Sequence, residues 1–303
     1  MKSLSATHQD SIALIEQYFH HLPKPVIFQE GLTAARTFSI AAQEHGEWSI
    51  LAEQSFRSSV LPLIAIHFAD LLNNPAHQAL LKKLQMVASR VFVFHLIAGK
   101  MLAAPVDPTL NSLFSSMYVI YDTLFDDSNY FDIVKPGNFE RIQEIVSGAD
   151  TISTEWPLEK LFHAVNKKIF ELLPVENSKV FCEIFQKLHE IQFESAFFKE
   201  KVLDIKKLRL NTYLKGGYAT QLSVLLSPKS FTNSELDAFL LLGAPIQLAD
   251  DLGDLLEDQN SGLQTLASLK AVDPLQVWPM YRKIFSTLSE LAQSQNYDNE
   301  YFK

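Results

Sequence analysis

Five carboxylates crowd the twelve residues QLADDLGDLLED (247–258), directly after the apolar run FLLLGAPI, and no lysine or arginine lies between Lys229 and Lys270. A helix that only faces water interleaves its acids with bases, because like charges one turn apart repel. With Gln247 at zero and roughly 100° per residue, Asp250, Asp251, Asp254 and Asp258 fall at about 300°, 40°, 340° and 20°. They form one stripe, and Ala249, Leu252, Leu255 and Leu256 take the opposite arc. Carboxylates stacked in this way raise one another's pKa values and destabilise their helix unless a cation joins them. A hard divalent ion suits them, since Mg²⁺ takes oxygen ligands and shares its shell with substrate phosphates.

A second acidic column stands in YVIYDTLFDDSNYFD. Asp122 and Asp126 are four apart, with Asn129 a turn further on and Tyr118 and Ser115 one and two turns before; Asp127 lies off the line. A solvated acidic face would explain either column alone. It explains less well two such columns more than a hundred residues apart, each beside apolar sequence. The expectation is that the columns face each other across a bundle and hold metal ions around a diphosphate.

The elements that would position them are helical. Apolar residues recur at spacings of three and four in SIALIEQYFHHL, LPLIAIHFADLL, the long HQALLKKLQMVASRVFVFHLIAGKML, LNSLFSSMYVIYDTLFDD and LEKLFHAVNKKIFELL. The same spacing runs through SKVFCEIFQKLHEIQFESAFFKEKV, IKKLRLNTYLKGGYATQLSVLL and NSELDAFLLLGAPIQLADDLGDLLED. Breakers such as NNPAH, VKPGN, LLPVEN and SPKSFTN separate them, and Thr232 or Asn233 with Glu235 makes a helix start. Only 10 glycines and 13 prolines punctuate 303 residues, and no repeat or linker divides them. The pattern predicts a single all-α domain over residues 1–303.

Composition narrows the function. A net charge of −9 without a basic tail argues against nucleic acid as a partner. The lone Cys182 excludes a disulfide framework and a cysteine-rich zinc site, and suits a reducing compartment. The N-terminus lacks the apolar core of a signal peptide, and VFVFHLIAGKMLAAPV, broken by His95 and Lys100, is too short to span a bilayer. A cytoplasmic protein that does not span the membrane is expected. No HExxH, Glu-x-x-His, Walker or dinucleotide-binding pattern occurs, and His189 reads as a helix-surface histidine.

At the acidic residues the chain resembles the class I isoprenoid synthases: polyprenyl diphosphate synthases, terpene cyclases and squalene/phytoene synthases. GAPIQLADDLGDLLED is similar to the second aspartate-rich motif of polyprenyl synthases, Q-x-x-D-D-x-x-D, and carries the i, i+4, i+8 spacing of the cyclases' second metal motif. DTLFDD resembles the first acidic motif of squalene synthases, and fits D-D-x-x-D at Asp122 and Asp126. RLNTYLKGGYA resembles the segment in which cyclases place a diphosphate-sensing arginine ahead of a helix break. Arg209 would be that arginine and Gly216–Gly217 the break, while Lys215 would match the lysine of the polyprenyl synthases.

The resemblance covers about residues 115–260. It implies an all-α bundle around a central apolar cavity, with Asp122, Asp126, Asp250, Asp254 and Asp258 as metal ligands. Arg209, Lys215 and Gln247 would hold the diphosphate, and Mg²⁺ would be the cofactor, three ions with substrate bound. The substrate would be an allylic isoprenyl diphosphate, ionised by Asp122, Asp126, Asp250, Asp254 and Arg209 with their metals. The basic residues that chain-elongating synthases use for isopentenyl diphosphate are missing, apart from Lys100 in AGKML. Their absence favours a terpene synthase (lyase) over a prenyltransferase of the elongating or head-to-head kind, although the R-Y pair of cyclases is also absent. A helical binding protein without catalysis is the alternative of another class. Helical dimers are common among the resembled families, which leaves a homodimer open. Tyr118, Tyr121, Phe125 and Phe193 are among the aromatics available to stabilise a cation or to pack a core.

Overall fold

A computed structural model describes residues 8–19, 46–101, 107–126, 138–196, 204–262, 264–272, 277, 279–284 and 286. The fold is all-α, and the described residues include no strand. Twelve α-helices are described. They are α1 (Gln9–Phe19), α2 (Gly46–Ser55), α3 (Leu61–His67), α4 (Asp70–Asn73), α5 (Gln78–Met101) and α6 (Pro108–Asp126). After them come α7 (Asn138–Val146), α8 (Pro157–Leu172), α9 (Val175–Ala196), α10 (Ile205–Val224), α11 (Asn233–Gly253) and α12 (Leu255–Ser261). A π-helical turn, Phe56–Val60, joins α2 to α3. No described helix is long and apolar enough to cross a membrane.

The residues gather into two compact units. One comprises 1–41, 190–222 and 231–303; the other comprises 42–189 and 223–230. The former is the first unit and the latter the second.

In the second unit α6 packs on α5, on α8 and on the π-helical turn. Every residue from Leu110 to Met117 is buried, polar ones included, as suits a helix surrounded by others. Asp107 starts it, its carboxylate accepting the Leu110 N–H at 2.8 Å. The core is aromatic: Tyr121 stacks on Phe162 at 5.5 Å and meets Phe125 and Phe185 edge-on at 5.1 and 5.7 Å. Two buried histidines tie its helices. His189 Nε2 lies 3.0 Å from the Phe139 carbonyl, which only accepts, so Nδ1 accepts the Tyr121 hydroxyl at 3.0 Å. His95 sits between Asn111 Oδ1 (2.6 Å) and Ser223 Oγ (2.8 Å). Burial holds both imidazoles down to about 4, so both are neutral. His189 is thus a core residue, against the sequence expectation of a surface position.

Glu159 is buried too; Arg141 meets it at 3.0 Å and the Thr154 hydroxyl donates to it. Asn177 Nδ2 lies within 3.0 Å of the carbonyls of Leu225, Ser227 and Lys229, securing the turn after Val224.

In the first unit α1 lies against α11, and its Ile12 and Ile15 are buried. α11 begins as its sequence predicts: the Thr232 hydroxyl accepts the Glu235 N–H, and the Glu235 carboxylate accepts the Thr232 N–H. It is buried from Ala238 to Pro245, with Pro245 inside the helix. The expected break at Gly216–Gly217 is absent, and α10 runs unbroken from Ile205 to Val224. Those glycines serve close approach instead. A Cβ on Gly216 would overlap the Gly243 carbonyl of α11, one on Gly243 would overlap the Gly216 carbonyl, and one on Gly217 would lie 2.6 Å from Leu240 Cδ1.

Candidate functional site

The glycine contact decides what faces what. A Cβ at Gly216 would come 2.7 Å from Gln247 Cβ, so α11 presents Gln247 and the next turn to the stretch of α10 that carries Lys215. The Gln247 amide donates to Asp251 Oδ1 at 3.0 Å and to Asp250 Oδ2 at 3.3 Å. Asp251 is only 8 % exposed, and its pKa is raised to about 6. Burial is the main cause, the charges of Asp250 and Asp258 add to it, and the Gln247 hydrogen bond and the Lys215 charge oppose it. Asp258 is buried as well and accepts the Thr265 hydroxyl at 3.1 Å.

The acidic stripe is not one straight helix. α11 ends at Gly253 and α12 begins at Leu255, with Asp254 between them at φ −94°, ψ 8°. The i→i−4 bonding continues across the joint, from Asp254 N–H to the Asp250 carbonyl (3.0 Å) and from Asp258 N–H to the Asp254 carbonyl (2.9 Å). Asp250 and Asp254 are exposed while Asp251 and Asp258 are buried, so the column divides into a wet and a dry pair.

Of the residues singled out in sequence, this unit brings together Gln247, Asp250, Asp258 and Lys215 around Asp251. Asp254 stands at the joint, exposed. Arg209 is exposed on α10, about 120° around the helix from Lys215. Asp122, in the second unit, is half-buried on α6; Asp126 is the last residue of that helix, and its side chain lies outside the described residues, as do Asp127 and Asn129. Two contributors lacked a sequence assignment. Asp251 stood in the stripe at i+4 from Gln247 but received no role, and Thr265, in the turns after α12, carried no pattern at all.

Among the described residues no three His, Cys, Asp or Glu side chains are gathered into a group that could hold a metal ion alone. The donors at the site are nevertheless of the kind Mg²⁺ takes, carboxylate and amide oxygens, and Mg²⁺ commonly uses one or two carboxylates and completes its shell with phosphate and water. Donors for an anion are present as well. Lys215 is half-buried, and one turn before it on α10 stands the buried Asn211, whose side-chain amide meets the Ser195 hydroxyl at 2.5 Å.

No protein-family model matches the chain, and no curated protein matches it in sequence.

Proposed function

We propose that the protein is a Mg²⁺-dependent class I terpene synthase, a lyase that ionises an allylic isoprenyl diphosphate and releases inorganic diphosphate. The observation that carries this is Asp251, a carboxylate withdrawn from water with Asp250 and Asp258 as neighbours and its pKa lifted to about 6. Such crowding costs stability in the free protein, and a bound divalent cation reverses the cost. Asp250, Asp254 and Asp258 are the residues that would hold the metal, and Asp122 and Asp126 of the second unit, with the same spacing of four, are assigned to metal by the resemblance of DTLFDD. Bound there, Mg²⁺ supplies Lewis-acid withdrawal of the charge that builds on the leaving diphosphate.

The chain's own groups do the rest. Lys215 is a point charge for diphosphate oxygens. Gln247 holds Asp250 and Asp251 in fixed orientation through its two hydrogen bonds. Arg209 is assigned to the diphosphate by the resemblance of RLNTYLKGGYA. The buried run from Phe239 to Leu242 offers dry surroundings, which an allylic cation needs to escape capture by water.

The test is to incubate the purified protein and Mg²⁺ with geranyl, farnesyl and geranylgeranyl diphosphates and to measure inorganic diphosphate. Release from at least one of them without isopentenyl diphosphate is expected. Release only when isopentenyl diphosphate is added would make the protein a chain-elongating transferase, and no release under either condition would leave a binding role.

A further inference from the structure

A buried chain of polar side chains lies in the first unit, outside the acidic cluster, and the Tyr218 hydroxyl in it also meets the Ser11 side chain. His8, just ahead of α1, places Nε2 3.1 Å from Glu190 Oε2 of α9 and Nδ1 3.0 Å from the Tyr218 hydroxyl of α10. His8 and Tyr218 are both 1 % exposed, whereas the Glu190 side chain is 37 % exposed. The protonation pattern follows from the ends. An ionised carboxylate only accepts, so His8 Nε2–H donates to Glu190; in the neutral imidazole Nδ1 is then a bare lone pair, and the Tyr218 O–H donates to it. A hydroxyl held by an imidazole that a carboxylate orients is the arrangement that, in enzymes, lets the imidazole take the hydroxyl's proton.

Two features set this chain apart from an ordinary fastening of α1. The helix is held as well by buried Ile12 and Ile15, by the ring contact of Phe19 with Tyr213 at 5.6 Å, by the Glu16–Lys206 ion pair at 2.9 Å and by the Ser11 hydrogen bond to Tyr218, so the Glu190–His8 link is one fastening among several. Tyr218 also lies three residues after Lys215, on the same face of α10, as does Asn211 four residues before Lys215. The buried end of the chain therefore stands one turn from the lysine assigned to the diphosphate, and its other end reaches solvent at Glu190.

We infer that Glu190, His8 and Tyr218 form a proton relay, with Tyr218 Oη as the base that closes the reaction proposed above. That role rests on the lyase reading of the same unit. When the cation collapses, the electrons of a C–H bond next to the cationic carbon form the new C=C bond. The proton passes to a Tyr218 Oη lone pair, and the hydroxyl's own proton moves to His8 Nδ1. The resulting imidazolium is paired with the Glu190 carboxylate, and one proton is then lost to water at that partly exposed side chain. Tyr218 stays neutral throughout, and no oxidant or further reactant is needed.

The experiment compares wild type with Tyr218→Phe and Glu190→Gln in Mg²⁺ and the accepted substrate, measuring diphosphate release and product identity by mass. In both variants the olefin share of the products formed per diphosphate released is expected to fall about tenfold or more in favour of alcohols from water capture. ¹⁵N spectra of the His8 imidazole supply a readout independent of turnover: a protonated Nε2 and a bare Nδ1 in wild type, with the Nδ1 signal moving in Tyr218→Phe. An unchanged product ratio in an active Tyr218→Phe enzyme, or a His8 proton on Nδ1, would overturn the relay alone. A wild type that releases no diphosphate would overturn the lyase reading and this role together.

Discussion

Gly216 of α10 and Gly243 of α11 meet backbone to backbone, so closely that a side chain on either would overlap the other's carbonyl. Helices brought together in this way put Lys215 within electrostatic reach of Asp251 without needing a long loop or a helix break. The carbonyls cannot yield as the end of a flexible side chain would. Gly216→Ala and Gly243→Ala are each expected to cost about 3 kcal/mol or more, at or beyond the upper end for overpacking. Gly253→Ala, where a new Cβ meets nothing within 4 Å, is expected to be neutral or to stabilise by up to about 1 kcal/mol. Urea unfolding midpoints of the three variants check this, and equal midpoints would contradict it.

Asp251→Asn is expected to stabilise the metal-free protein. Folding raises the Asp251 pKa from 3.8 to about 6, so the folded state binds more protons between those values. Its stability rises as pH falls through 6, and the charged form carries a cost at neutral pH, at most about 3 kcal/mol at 1.36 kcal/mol per pKa unit. The asparagine variant should therefore unfold at a higher urea concentration than wild type at pH 7 and lose that advantage at pH 4. It should also lose diphosphate release, the exchange of stability for function common at working sites. A less stable variant at pH 7 would contradict the prediction.

The second unit should respond to acid in the opposite sense. His95 and His189 have folded pKa values near 4 against 6.5 when unfolded, so the unfolded chain binds more protons between those values. The stability of that unit is complete above about pH 6.5 and falls as pH drops toward 4, by at most about 3 kcal/mol for each histidine. Amide exchange of helices α6 and α8 at pH 7 and pH 5 measures the change. Protection that is the same at both values would rule it out.

Arg141→Ala should destabilise more than the double change Arg141→Ala with Glu159→Gln. The single variant leaves a buried carboxylate without its guanidinium, a loss of about 3–5 kcal/mol, whereas the double removes the charge together with its partner. Urea unfolding of both proteins decides the order, and a double variant that is the less stable of the two would refute it.

Most of the fold was legible in the sequence because apolar spacing and capping act locally. The helical pattern, the Thr232–Glu235 cap and the carboxylate stripe of 250–258 all follow from neighbours within a few residues. What escaped depends on partners distant in the chain. Gly216–Gly217 carry the composition of a helix break, but Gly243 turns them into a contact surface, and the hydrogen bonds across them remain intact. His189 resembles a solvated histidine until Phe139 and Tyr121 close over it from elsewhere in the chain. Asp251 fell on the expected stripe, and only its burial separates it from exposed Asp250. The Glu190–His8–Tyr218 chain joins residues up to 210 positions apart, which no local pattern encodes.

Calorimetric titration of the purified protein with inorganic diphosphate, in the presence and absence of Mg²⁺, addresses the acidic cluster most directly. Binding is expected only when both are present, weakened about tenfold or more by Lys215→Ala and by Asp254→Ala, with helical circular dichroism unchanged. Diphosphate binding that is indifferent to Mg²⁺, or equal in wild type and both variants, would contradict the assignment.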